Sequence, residues 1–265
     1  MTTVKSMESR QSLITFTENN AKNKMLDIKQ VIGITTFLLL FNAQAIAERL
    51  NIAVASNFTA TLRSLSQHYM ATCSCEINII SGSTGKLYFQ ITQAAPFDAF
   101  FSADEITAQR LVDDGLAFKD SYFVYAKGIL AIYGETDLSK ASKIAIANPK
   151  LAPYGKAAME YLNTLDNAAE IRSKLVYAEN VAQAFQFSWT GATQSSFVPL
   201  SYSSRKMKKE LALQPIPAST YSPILQAAVI NNDSQSIRQF FAYLKSTEAK
   251  KIIRNAGYEV ATDAQ

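Results

Sequence analysis

From Glu48 onward, short apolar runs alternate with segments whose apolar residues recur every three or four positions. RLNIAVA (49–55) reads as a buried strand. Residues 57–71 place Phe58, Leu62, Leu65 and Tyr69 on one helical face. Strands are expected at 76–81 and 97–103, and helices at 87–94 and from Asp104 to near Gly115. A long apolar stretch, YFVYAKGILAIYGE (122–135), follows. The alternation then restarts, with strands at 143–148, 174–179 and 195–201 and helices at 154–165 and 181–191.

This order predicts an α/β protein of two similar lobes, each a mostly parallel sheet flanked by helices. Residues 204–223, with three prolines, read as a linker whose Lys206, Lys208 and Lys209 form a solvated face. Strand ILQAAVI and the helices after it are expected to return to the first lobe. The expected division is 48–126 and 220–265 for lobe 1 and 127–219 for lobe 2. Two chain crossings would make a hinge, with a ligand cleft at the carboxyl ends of the strands.

The segment before this pattern is different. Charged KNKMLDIKQ precedes the 11-residue apolar run VIGITTFLLLF and a small-x-small site at Ala45-Ile46-Ala47. That is the layout of a cleaved export signal beginning near Met25, too short to span a bilayer. Residues 1–47 are therefore expected to be absent from the mature chain, with cleavage after Ala47 and a periplasmic product. Loss of five Lys/Arg and three Asp/Glu would leave a net charge of +2 from the full chain's +4.

A chain with 48% hydrophobic and 18% charged residues is neither disordered nor strongly basic, so no nucleic-acid partner is expected. The two cysteines, Cys73 and Cys75, are separated by one residue, which favours a surface turn over a strained disulfide or a metal site. His68 is the single histidine and lies on a helix face, leaving any Ser nucleophile without an evident base. There is no G-x-S-x-G, and GSTGK lacks the spacer of a nucleotide P-loop. Trp189, Tyr202 and Tyr221 read as packing residues rather than a sugar platform. The chain is not expected to be an enzyme and is expected to be a monomer.

The strand-to-helix junctions carry the chemistry. They read Ala55-Ser56-Asn57, Ser81-Gly82-Ser83-Thr84-Gly85, Ser102-Ala103-Asp104, Asn148-Pro149 with Pro153-Tyr154-Gly155, and Glu179-Asn180-Val181. Helix starts expose unpaired N–H groups and a partial positive charge, and Ser or Thr adds a hydroxyl donor. Several converging on one cleft would hold a small oxyanion without a countercharge. Gly82 and Gly85 would let the backbone come close to it. Plain N-capping explains any single junction equally well.

With those residues in view, the chain from about Leu50 to Tyr258 resembles the periplasmic molybdate-binding proteins of ABC importers. The resemblance lies in VASNF, SGSTGKLYFQITQAAPFDAFFSAD, LVDDGL, IANPKLAPYGKAA and AENVAQAF, the second being the most specific. It implies a type II periplasmic-binding fold, capture of molybdate or tungstate between the lobes and delivery to a membrane permease. Cofactors are not implied. Carried over by position, hydroxyls would come from Ser56 and Thr84, with Ser83 beside it. Backbone N–H donors would come from Ala103, Tyr154 and Val181. Some relatives place a Tyr hydroxyl where this chain has Pro199, which offers no donor. Ser195-Ser196 replaces a more usual acidic-small pair. The remaining alternatives are another small anion such as sulfate or, from a different class, an exported serine hydrolase.

Overall fold

The computed structural model describes residues 48–73, 75–204 and 212–260. The export-signal reading of residues 1–47 and the lysine face at 206–209 lie outside them.

Two five-stranded sheets organise the chain. The first contains β1 (Glu48–Ala55), β2 (Cys75–Gly82), β3 (Ala99–Phe101), β4 (Phe123–Gly128) and β10 (Ile224–Ile230), in the order β2-β1-β3-β10-β4. The second contains β5 (Leu130–Gly134), β6 (Ile144–Ala147), β7 (Leu175–Ala178), β8 (Ser195–Pro199) and β9 (Ala212–Pro215), in the order β7-β6-β8-β5-β9. Each has a parallel set, β2-β1-β3 and β7-β6-β8, as the βαβ alternation requires. Antiparallel neighbours complete each: β10 between β3 and β4, and β5 between β8 and β9. In each sheet four strands run one way, as expected, and one runs against them: the strand that has crossed over from the other lobe, β10 in the first and β5 in the second.

The chain crosses twice, at Ile129 between β4 and β5 and again at 216–223 between β9 and β10. Gly128 and Ile224, at the two crossings, are direct partners in the ladder. The apolar stretch 122–135 is therefore two strands belonging to different sheets. The linker reading of 204–223 is corrected by β9, which pairs with β5. Its four residues alternate too briefly to stand out beside three prolines.

Helices cover both faces of the first sheet. On one face, α1 (Thr59–Met70), α7 (Gln235–Leu244) and α8 (Thr247–Asn255) bury Leu62, Leu65, Phe240, Phe241 and Ile253 with Ile52 and Val54. On the other, α2 (Thr84–Thr92) and α3 (Glu105–Asp113) bury Leu87, Ile91, Ala108 and Leu111 with Ala53 and Phe100. Around the second sheet lie α4 (Pro153–Leu162), α5 (Ala168–Ser173) and α6 (Val181–Trp189), which bury Ala157, Leu162, Ile171 and Phe185. Each fully buried aliphatic or aromatic side chain contributes about 1.5–3 kcal/mol relative to exposure. Ala55 and Ala103, from the first sheet's junctions, join the second lobe's core cluster, so the two lobes are in contact at the cleft.

Cys73 and Cys75, at the turn that leads into β2, are disulfide-bonded. Trp189 and Tyr202 pack in the second lobe's core, and Tyr221, in the second crossing, accepts at its hydroxyl oxygen from the Leu130 N–H at 3.1 Å.

Candidate functional site

Each junction singled out in the sequence can be tested for ordinary capping. Asp104 is a working cap: its carboxylate accepts from the Thr107 N–H at 2.6 Å. Asn180 is another, accepting from the N–H groups of Ala182 at 3.0 Å and Gln183 at 3.1 Å. Ser102 is spent locally, its hydroxyl oxygen accepting from the Asp104 N–H at 3.2 Å.

Ser83 behaves differently. It occupies the residue before α2 with extended geometry, yet its side chain makes no capping bond. Its hydroxyl oxygen is buried and without a partner, and the residue is 2% exposed. The N–H of Gly85, two residues on, goes instead to the Leu151 carbonyl of the second lobe at 2.9 Å. The helix also begins at Thr84, three residues ahead of the expected start. Gly85 is a weak helix former, and that hid the first turn. The two glycines do not serve an approach to ligand: side chains there would meet Leu87 from Gly82 and Leu151 from Gly85.

All six predicted site residues, Ser56, Ser83, Thr84, Ala103, Tyr154 and Val181, line one cavity between the lobes. Ala55, Asn57, Gly82, Ala152, Pro153 and Asn180 complete it, and none of the lining residues carries a formal charge. Its free volume is about 10 Å³, room for about one water, against the roughly 300–1,000 Å³ of a pocket for a drug-sized organic ligand. A broader groove of about 390 Å³ shares Thr84, Ala152 and Pro153, but charged side chains line it, Asp104, Glu105, Lys150, Lys156 and Glu160 among them.

Three helix starts converge on the small cavity. Tyr154 and Val181 stand in the first turns of α4 and α6, where N–H groups have no intrahelical acceptor. Pro at the first position of α4 leaves Tyr154 as its first N–H donor. Gly155 brings that turn in: a side chain there would lie 2.1 Å from the Ala147 carbonyl at the end of β6. Ala103 donates its N–H to the Thr84 hydroxyl oxygen at 3.1 Å, so in this structure Thr84 accepts from below and keeps its proton for another acceptor. Ser56 is held by its own N–H, which donates to the Gly82 carbonyl at 2.9 Å. Phe58, two residues on, is fully buried against Tyr125 (ring centroids 4.5 Å apart) and Tyr258 (5.3 Å), which pins the Ser56 turn.

Lys86 does not enter the cavity. It pairs with Glu179 of the second lobe at 2.9 Å, a contact across the cleft with both side chains about half exposed. Pro199 ends β8 opposite Leu130 and is not among the cavity residues. Of the Ser195-Ser196 pair, Ser195 donates to the Glu135 carbonyl at 2.5 Å while the Ser196 hydroxyl is buried without a partner.

His68 is exposed on α1, with Nδ1 2.8 Å from the Ser64 carbonyl one turn back. The contact is to the Ser64 backbone and not to a serine hydroxyl. Among the described residues no group of three or more His, Cys, Asp or Glu could hold a metal ion.

What sequence reasoning missed is the polar network beside the cavity. Gln226, fully buried in β10, joins Asn57, Tyr125 and Tyr154. A lone glutamine inside the apolar run ILQAAVI was its only trace.

A two-lobed α/β frame, hinged by paired crossings and closing on an uncharged donor-lined cavity, defines the class. The chain belongs to the bacterial extracellular solute-binding protein family, whose model matches residues 50–259. Within it, the chain is 34% identical over 244 residues to the molybdate-binding protein ModA of Azotobacter vinelandii, covering 86% of this chain and 96% of that one. It is 33% identical to the ModA of Rhodobacter capsulatus over 78% of this chain and 86% of that one. The solved periplasmic molybdate-binding protein of Azotobacter vinelandii superposes with a TM-score of 0.74 at 32% identity, covering 80% of this chain and 100% of that one.

Proposed function

We propose that this chain is an exported solute-binding protein that captures a tetrahedral oxyanion, molybdate or tungstate, between its lobes and delivers it to an ABC permease. The observation that carries the reading is the cavity itself. Hydroxyls of Ser56, Ser83 and Thr84 and first-turn N–H groups of Tyr154 and Val181 face one space without a charged side chain. The unpartnered Ser83 hydroxyl is a donor waiting for an acceptor that the protein does not supply. Ala103 would act through Thr84, its N–H engaging the oxygen whose proton points to the anion.

Binding replaces water around a dianion by fixed dipoles from both lobes, so the anion itself draws the lobes together. Selectivity rests on size. Sulfate, being smaller, would leave donors out of reach, and each buried donor left unpaired costs about 1–3 kcal/mol. Two such losses separate the ions by about a hundredfold or more. The names of the relatives support molybdate over other oxyanions, and among the described residues no helix is long and apolar enough to cross a membrane.

The export signal at residues 1–47, cleavage after Ala47, a periplasmic location and a monomeric state belong to the same reading. Calorimetric titration with molybdate, tungstate, sulfate and phosphate tests it. Tight binding of the first two with weak or no binding of the others is expected; absence of heat with molybdate and tungstate overturns it. Mass spectrometry of the secreted chain's N-terminus checks the cleavage.

A further inference from the structure

Tyr154 belongs to two polar assemblies. Its backbone N–H lines the cavity, while its hydroxyl reaches the hinge, where the Gln226 Nε2 donates to it at 3.2 Å. Gln226 sits two residues into β10, just past the second crossing, and opposite Ala126 of β4. Its Oε1 accepts from the Asn57 Nδ2 at 2.7 Å and from the Tyr125 hydroxyl at 3.1 Å. Both partners belong to the first lobe; Tyr154 belongs to the second. Tyr258 extends the network, donating to the Asn57 carbonyl at 2.8 Å and accepting from the Ser201 hydroxyl at 3.0 Å.

The fit at this point is close. A side chain at Gly128, the last residue before the first crossing, would place its Cβ 2.0 Å from the Tyr154 hydroxyl oxygen and 2.7 Å from the Gln226 Nε2. The phenol tip therefore rests on the hinge backbone itself. Burial holds the Tyr125 and Tyr154 hydroxyls well above the ordinary phenol range, so both stay protonated and neutral. Both orientations of the Gln226 amide are used: oxygen toward lobe 1, nitrogen toward lobe 2.

We propose that Gln226 and the Tyr154 side chain are a positioning pair that couples the hinge to the anion site. The amide of Gln226, anchored by Asn57 and Tyr125, holds the Tyr154 ring, and the ring holds the first turn of α4 in the place where its N–H meets the anion. Neither side chain needs to touch the ligand. Asn57 ties the same amide to the Ser56 turn on the other wall of the cavity, so one hinge group sets the spacing of donors from both lobes. The proposal takes its ligand from the functional reading above.

The test uses Tyr154→Phe, which removes one oxygen and keeps the backbone N–H, and Gln226→Leu. Molybdate affinity is measured by calorimetry. The interlobe distance is measured by spin-label spectroscopy, in a background carrying Phe118→Cys in lobe 1 and Tyr177→Cys in lobe 2. Tyr154→Phe, which loses one hydrogen bond, is expected to bind about five- to tenfold more weakly, and Gln226→Leu, which also leaves Asn57 and Tyr125 without the amide, at least as weakly. The double variant is expected to be no weaker than the worse single one. In the ligand-free state both variants are expected to shift toward longer interlobe distances than the parent. Affinities within about twofold of the parent, or unchanged distance distributions, overturn the proposal. If the parent does not bind molybdate, the functional reading fails separately, and the ligand-free distances alone decide: a shift sustains the hinge coupling and identical distributions end it. Tyr154→Phe carries the test by itself if Gln226→Leu does not fold.

Discussion

Replacing Ser83 by alanine separates a helix cap from a ligand donor by the sign of its effect. An ordinary Ser cap contributes about 0.5–2 kcal/mol, and losing it destabilises the protein. Ser83 makes no capping bond, and its buried hydroxyl has no partner. Removing such a group relieves a desolvation penalty of about 1–3 kcal/mol, less the small void left by one oxygen. For a chain of this size, each kcal/mol moves Tm by about 2–4 °C. Ser83→Ala is therefore expected to raise the ligand-free Tm by a few degrees. With ligand the sign reverses, because a hydrogen bond to a charged oxygen contributes about 1.5–3 kcal/mol. Affinity for molybdate should fall about ten- to a hundredfold. Scanning calorimetry with and without saturating molybdate, paired with titration, reads both effects. A lower ligand-free Tm together with unchanged affinity would refute the reasoning and return Ser83 to the role of a cap.

Asn180→Ala removes two N-cap bonds from α6. It is expected to cost about 1 kcal/mol in thermal unfolding and to weaken anion binding through the loosened Val181 turn. Lys86→Met or Glu179→Gln breaks an exposed pair across the cleft, so affinity should fall less than about fivefold, and the difference should vanish in high salt. Arg238 hydrogen-bonds Asp120 and Asp233 and holds both carboxyls below the ordinary carboxylate range. Stability from lowered carboxyl values is complete above the unfolded value near ~3.9 and lost as pH falls through the folded ones. Asp120→Asn should therefore lower Tm at neutral pH, with the deficit closing as acid protonates the carboxyl below its ordinary range.

The sequence by itself determined the two-lobed α/β alternation and assembled the candidate donors, because both are local. Apolar spacing separates strand from helix within a few residues, and donors that end up around one cavity already stand at the junctions. The cavity's six predicted residues were legible for that reason, Ser56, Ser83 and Thr84 by type, Ala103, Tyr154 and Val181 by position through a family resemblance. Only tertiary structure decided which junctions are spent. Asp104 and Asn180 cap their own helices, whereas Ser83 does not, since the Gly85 N–H it would otherwise neighbour is drawn to Leu151 of the other lobe. Tertiary structure also turned part of a proline-rich linker into β9, and paired Lys86 with Glu179 across the cleft. Gln226 is the clearest case. Its partners Asn57, Tyr125 and Tyr154 lie 169, 101 and 72 residues away, so no local pattern could mark it. A buried amide acquires its role only when the fold has brought its partners within hydrogen-bond distance.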